Sequence, residues 1–285
     1  MILPSHRPFR QITIIGVGMM GGSLGLAIKK HKLAKEVVGL SFQQSSLIKA
    51  MKIGAVDVAT TDLAKAVRNA DLLILATPVE TIIQFLPKLN PYLRKNCYIT
   101  DIGSTKSDIV DMAEKLLAFP NNFVGSHPLA GSEKRGVENA VPDLFSNVKC
   151  IITPVKTTNA QAIEKVKLFW HKMGTEVLTM EPEQHDQVLS YVSHLPHMAA
   201  FSLMGAVPED MLQYAASGLK DTTRVAASSP QMWSDICRSN GKYIIKAIDD
   251  MVKELAIIRQ GIIDKDEKVL MDKFEKAKVK REKIN

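Results

Sequence analysis

The feature that most constrains this 285-residue chain is Ile12-Thr13-Ile14-Ile15-Gly16-Val17-Gly18-Met19-Met20-Gly21-Gly22. A short β-branched run suits a strand buried on both faces. It ends in Gly-x-Gly-x-x-Gly, and residues 23–30 continue in helical period. Gly16 permits the tight turn out of the strand, Gly18 lets backbone approach a pyrophosphate, and Gly21 lets helix and strand pack closely. The helix that follows offers unpaired N–H groups and a partial positive charge to the phosphates, and Met19 and Met20 of the loop are expected to border the cofactor. Strand before and helix after are the context that makes the glycine pattern a dinucleotide site.

The rest of the first half repeats the alternation. Strands are expected at 36–40, 70–76, 97–101, 122–125, 148–153 and 176–179, and helices at 43–53, 61–68, 107–117 and 159–173, with another beginning at 81–86. Gly54 should cap the helix of residues 43–53. The pattern defines an α/β fold: an N-terminal Rossmann-type dinucleotide-binding domain over residues 1–181. Strand signals stop near Glu181. Residues 182–285 read as an all-α domain, with Ile248, Met251, Val252, Leu255, Ile258 and Ile262 at helical spacing. A helical unit with surplus apolar surface often buries it against a second copy, so a homodimer is expected.

About 20 residues past the glycines, an NAD site usually carries an acid that accepts from the adenosine ribose. Here that position is Ser41, followed by Phe42-Gln43-Gln44. With neither acid nor arginine there, the choice between NAD and NADP stays open. NAD is the expected cofactor, with Ser41 at the ribose and the strand ends Thr77-Pro78 and Gly103 bordering the dinucleotide.

Composition narrows the setting. The chain is 46% hydrophobic and 24% charged, with a formal net charge of +7. No apolar run approaches a membrane span, and residues 1–11 lack the apolar stretch of a secretory signal. Cys97, Cys150 and Cys237 are odd in number and widely spaced, which fits a reducing cytoplasm and neither a disulfide framework nor a zinc site. Basic residues concentrate near the C-terminus without the interleaved aromatics of a nucleic-acid surface. A positive field would gather an anionic small molecule and an anionic cofactor.

Ligands of an open α/β sheet bind at the carboxyl ends of its strands. Ser104 follows one such end and His127 the next. A hydroxyl and an imidazole there can meet on one substrate hydroxyl, as alcohol oxidation by a nicotinamide requires. In the helical half, Ser193-His194-Leu195-Pro196-His197 places Ser193 and His197 one turn apart, and Pro196 should disturb the helix. No further ligand completes a metal set at a recognised spacing, so no metal is expected. Lys220 and Arg224 stand at i,i+4, a cation pair suited to a carboxylate or phosphate, with Asp221 placed to hold the Arg224 fork. Trp233 is one of two tryptophans and reads as core or interface.

Taken together and in order, these segments resemble the prephenate/arogenate dehydrogenase family of tyrosine biosynthesis. The resemblance rests on the Gly16–Gly21 loop, the run from Asp101 to Lys106, the run from Gly125 to Glu133, Ser193-His194-Leu195-Pro196-His197, the run from Lys220 to Arg224, and Met232-Trp233. It implies oxidative decarboxylation, with hydride transfer from C4 of a cyclohexadienol to NAD(P)⁺ and loss of the ring carboxylate as CO₂. It also implies that His127 polarises the 4-hydroxyl as catalytic acceptor and that Ser104 shares that hydroxyl. Arg224 would bind the ring carboxylate, with Asp221 behind it. His197, Lys220 and Ser193 would hold the side-chain end. Glu133 would stand at the pocket mouth, and Trp233 would reach the neighbouring subunit's site. No fused chorismate mutase or ACT domain is expected. Prephenate is the expected substrate over arogenate, because His197 suits a keto-acid end better than an ammonium. The rival readings are another Rossmann dehydrogenase of the β-hydroxyacid or imine reductase type, and a nucleotide-sensing module without turnover. Neither calls for Ser104, His127 and Arg224 together.

Overall fold

The protein is described by a computed structural model that covers residues 7–131 and 134–284. Its first half runs β1 (Phe9–Ile15), α1 (Met19–Lys30), β2 (Ala34–Leu40), α2 (Gln44–Lys52), β3 (Val58–Thr60), α3 (Leu63–Val67), β4 (Leu72–Leu75), α4 (Val79–Leu89), β5 (Tyr98–Asp101), α5 (Ser107–Leu116), β6 (Phe123–Pro128), β7 (Lys149–Thr153), α6 (Ala160–Lys172) and β8 (Glu176–Thr179). The strands form one sheet in the order β3-β2-β1-β4-β5-β6-β7-β8. From β3 through β6 every pairing is parallel, so the loops after β1, β4, β5 and β6 leave from one edge.

Alternation along the central strands supplies two apolar layers. Ile12, Ile14, Leu72 and Ile74 pack on one face with Leu24 of α1 and Val166, Phe169 and Trp170 of α6. Ile15, Leu73 and Leu75 pack on the other with Ile82 and Leu86 of α4 and Ile109 of α5. Both faces are covered, which is why these strands read as unbroken apolar runs. Local signals set the helix ends. Asp62 caps α3 by accepting from Ala64 N at 2.8 Å and Lys65 N at 3.2 Å, and Gly54 follows α2 with φ +74°.

Three features depart from the sequence expectation. The three-residue strand β3 is too short to show a period. Strand β6 runs on to Pro128, so His127 sits inside the strand and not in a loop beyond it. And β7 pairs with β6 antiparallel. A parallel return needs a crossover helix. Between β6 and β7 the described residues form only a 3₁₀ turn, Val137–Asn139, lying against α1. Val137 packs so closely there that a Cβ on Gly22 would stand 2.7 Å from its Cγ2.

The remainder is helical: α7 (Pro182–Leu189), a π-helical turn (Ser190–His194), α8 (Leu195–Ala206), α9 (Ser217–Thr223), α10 (Pro230–Ser239), α11 (Gly241–Asp264) and α12 (Glu267–Glu282). Pro196 sits in the first turn of α8, directly after the π turn. Its ring crowds the carbonyl four residues back, and the widened turn relieves the clash. By backbone packing the chain forms two units. One contains the described residues through Val188 with Arg224–Asn240, and the other contains Leu189–Thr223 with the described residues from Gly241 onward. Residues 182–188 and 224–240 therefore group with the sheet. Within the second unit, α11 buries Ile244, Ala247 and Gly261. Of the expected apolar stripe, Val252 (56% exposed), Leu255 (53%) and Ile262 (62%) face outward in the single chain. No helix among the described residues is long and apolar enough to cross a membrane.

Candidate active site

The glycine loop leaves β1 as its spacing requires. Gly16 has φ +99°, and a Cβ there would stand 2.6 Å from Ala76 O; a Cβ on Gly21 would stand 2.0 Å from Gly16 O. Gly18 differs: its φ is −87° and a Cβ on it would meet nothing within 4 Å. The open side of Gly18 is the approach that a pyrophosphate needs. Gly18 is also the N-cap of α1 and supplies no side-chain cap, so the helix's first N–H groups, at Met19, Met20 and Gly21, are available to phosphate oxygens. Across the loop, Thr77 Oγ1 is buried without a partner among the described residues, as expected of a hydroxyl that a ligand would satisfy.

A cavity of about 380 Å³ opens between the ends of β1 and β2 and helix α4, lined by Gly16, Ser41, Gln43, Thr77, Gln84 and Lys88 among others. Phe42 and Phe85 stack at its rim with centroids 5.8 Å apart and planes 8° from parallel. Ser41 Oγ accepts from Gln43 N at 3.2 Å, which fixes the turn after β2. Among the described residues no carboxylate lines the cavity, so the ribose end meets hydroxyl, amide and ammonium groups. These residues fit a nicotinamide dinucleotide. Gly18→Asp would put a negative side chain into open space at the phosphates. NAD⁺ affinity falls at least about tenfold with an unchanged melting temperature, measured by titration calorimetry and thermal denaturation. Retained affinity would remove the phosphate role of this loop.

At the end of β5 lies a wholly buried ion pair. Asp101 and Lys106 are both 0% exposed, and Lys106 Nζ donates to Asp101 Oδ2 and, at 2.9 Å, to Ser126 O. Asp101 also accepts from Gly103 N at 2.7 Å and from Ser126 N at 3.1 Å. One carboxylate thus holds the turn carrying Gly103 and Ser104 together with the β6 residue that precedes His127. Ser104 is half-buried and makes no side-chain hydrogen bond among the described residues.

His127 is half-buried, and its Nδ1 lies 2.9 Å from Nε2 of His185. His185 is fully buried, with its Nδ1 2.8 Å from Oδ1 of Asp186. Asp186 in turn accepts from Lys106 N and Ser107 N, both at 2.8 Å. It thereby caps α5, which has no cap of its own. Asn240 Nδ2 donates to Asp186 O at 2.8 Å. Burial holds the His185 imidazole below its usual pKa although Asp186 opposes it. Burial alone would raise Asp186, but its hydrogen bonds from His185 and Ser107 hold it below the usual carboxylate range. Sequence reading missed both residues. Glu-Gln-His-Asp-Gln reads as a polar helix face, and only the fold brings it to β6.

The other expected site residues are placed as follows. Trp233 is 5% exposed, on the buried side of α10. Arg224 is exposed and opens a 3₁₀ turn. Neither it nor Asp221, which belongs to the second unit, forms an ion pair among the described residues. In the second unit, Lys220 is exposed on α9, and His197 Nδ1 is 2.9 Å from Ser193 O, the one-turn spacing expected of them. Glu133 and the preceding Ser132 lie outside the described residues. Among the described residues no group of three or more His, Cys, Asp or Glu is placed to hold a metal. None of the three cysteines forms a disulfide, and burial raises the Cys97 thiol to about 12.

A largely parallel sheet with a phosphate-binding glycine turn, and with an imidazole held near the end of β6 on the same edge, defines a nicotinamide-dinucleotide-dependent dehydrogenase. Comparison with known proteins gives the family. Residues 24–179 match the family model "prephenate dehydrogenase, nucleotide-binding domain", and residues 181–276 match "prephenate dehydrogenase, dimerization domain". Prephenate dehydrogenase of Bacillus subtilis is 36% identical over 274 residues, covering 94% of this chain and 74% of that one. The crystal structure of prephenate dehydrogenase from Aquifex aeolicus in complex with hydroxyphenyl propionate and NAD⁺ superposes with a TM-score of 0.91 at 36% identity, covering 97% and 98% of the two chains. That of Synechocystis arogenate dehydrogenase gives 0.82 at 28% identity, covering 96% and 100%. The chain belongs to the prephenate dehydrogenase family.

Proposed function

We propose that the protein oxidatively decarboxylates prephenate to 4-hydroxyphenylpyruvate, with hydride transfer to NAD⁺. The observation that supports this best is the position of Ser104 and His127. They stand at the ends of the neighbouring parallel strands β5 and β6, on the sheet edge that carries the glycine loop. Bound NAD⁺ supplies a hydride acceptor. His127 takes the proton of the C4 hydroxyl as the hydride leaves C4, and Ser104 hydrogen-bonds the same oxygen and orients it. The bond from the ring to its carboxylate then breaks and CO₂ departs; its electron pair passes through the ring to the C4 oxygen, which takes the proton back from His127 to give the phenol. Aromatisation drives the sequence. Arg224 carries recognition of the ring carboxylate, and its exposed guanidinium suits a bidentate anion contact. His197, Lys220 and Ser193 hold the side-chain end. We take residues 1–181 as the nucleotide-binding half and 182–285 as the substrate-binding and dimerisation half.

The outward-facing Val252, Leu255 and Ile262 of α11 support a homodimer through the helical half, with Trp233 serving the neighbouring site. Three thiols without a disulfide support a cytoplasmic setting.

The Synechocystis relative keeps arogenate as the second reading. Steady-state assays crossing prephenate and arogenate with NAD⁺ and NADP⁺ decide both choices. The expected result is a kcat/KM at least about tenfold higher for prephenate than for arogenate. A tenfold preference for arogenate would overturn the substrate, and no turnover of either would overturn the reaction.

A further inference from the structure

The pairing of His127 with His185 and Asp186 settles which nitrogen of each ring carries a proton. Asp186 receives the two N–H groups that open α5, at Lys106 and Ser107. The positive end of that helix favours the ionised carboxylate. An ionised carboxylate only accepts, so the His185 Nδ1 that lies 2.8 Å from it donates. A neutral imidazole has one N–H, so His185 Nε2 carries a lone pair. The His127 Nδ1 that lies 2.9 Å from that lone pair must then be the donor. His127 Nε2 is left as the basic nitrogen.

We propose that His185 and Asp186 are positioning residues that hold His127 in its Nδ1–H tautomer, so that Nε2 receives the substrate's hydroxyl proton. The proposal rests on the reading of His127 as proton acceptor. In the opposite tautomer an N–H would face the hydroxyl and no base would be present. One proton moves, from the substrate oxygen to Nε2, as the hydride leaves carbon. The His127 imidazolium then donates a charge-assisted hydrogen bond from Nδ1 to His185, and the Asp186 charge behind it stabilises the cation. Burial keeps His185 neutral, as the scheme requires. The charged groups around it are Asp186 of its own helix, Lys106 at the start of α5 and Asp101 of β5, and Asp108 lies within the field of Asp186. Lys106 disfavours a charged His185, and the carboxylates favour it. Such a chain is the logic by which an aspartate orients a catalytic histidine in unrelated hydrolases, although here a second imidazole stands between.

The direct test is a long-range ¹⁵N–¹H spectrum of the NAD⁺-loaded protein labelled in its imidazoles, near neutral pH, with His127 assigned through His127→Gln. Nδ1 of His127 should appear protonated and Nε2 unprotonated; the reverse pattern overturns the proposal. A kinetic test accompanies it. Asp186→Asn should lower kcat roughly 10- to 1000-fold with KM and NAD⁺ affinity nearly unchanged. Loss of the negative charge disfavours the His127 imidazolium, so the acid limb of the kcat/KM profile should move to lower pH. A kcat within twofold of the parent and an unmoved limb would overturn the role. Because Asp186 also caps α5, His185→Gln and His185→Leu supply a pair that leaves the cap intact. Gln keeps an acceptor for His127 and should retain more activity than Leu; equal loss in both would speak against the relay. Full activity in His127→Gln would instead overturn the assignment of His127 itself, whichever tautomer the spectrum shows.

Discussion

Replacing His127 with Gln should lower kcat by roughly 10²- to 10⁴-fold while NAD⁺ affinity stays within about twofold. The range is that of a positioned general base. The side chain leaves β6 at the sheet edge, half-buried, with Nδ1 taken by His185. An amide can still meet a hydroxyl but cannot take its proton at neutral pH. The glycine loop lies at the end of β1, with β4 and β5 between that strand and β6 in the sheet order, so the cofactor contacts stay intact. Pre-steady-state hydride transfer, followed by NADH absorbance, separates the chemical step from product release. A hydride-transfer rate equal to that of the parent would rule out the role.

Lys106→Met should destabilise the sheet-bearing unit by about 3–5 kcal/mol, the usual consequence of stranding one charge of a buried pair. Both partners are completely buried. Removing the ammonium leaves the Asp101 carboxylate with only the N–H groups of Gly103 and Ser126. Thermal denaturation should show a fall on the order of 10 °C. Adding Asp101→Asn should recover part of it, since an amide has no charge to strand. Turnover should fall as well, because this carboxylate holds the turn bearing Ser104 and the β6 residue before His127. A melting temperature within about 2 °C of the parent would show that the pair contributes little.

Buried Lys106 illustrates why the sequence hides part of the site. In Gly-Ser-Thr-Lys-Ser a lysine reads as solvated, since lysines are almost never fully buried unless paired. Its partner is five residues back, across a turn whose shape no period encodes. His185 and Asp186 were harder still. His185 meets a residue 58 positions away and Asp186 one 80 positions away. Short polar dipeptides on helices are common, and neither residue carries a spacing that marks it. Ser104 and His127 were legible because strand ends are the places where such sheets bind ligands. The apolar stripe of α11 was legible as a stripe, but its solvent-facing residues show only in the packed chain.

The sequence by itself determined the dinucleotide-binding glycine turn, the strand–helix alternation, the change to an all-helical half and the family. Those are local or periodic properties: a glycine needed at φ +99°, apolar residues recurring at two or at 3.6, motifs within a few residues of each other. Tertiary structure alone decided that β7 returns antiparallel, that an ion pair is sealed under the β5 turn, and that His127 is backed by a second histidine and an aspartate. Each of these depends on which distant segments share a desolvated space. There hydrogen bonds and charges must be matched pair by pair, and no one-dimensional pattern records the match.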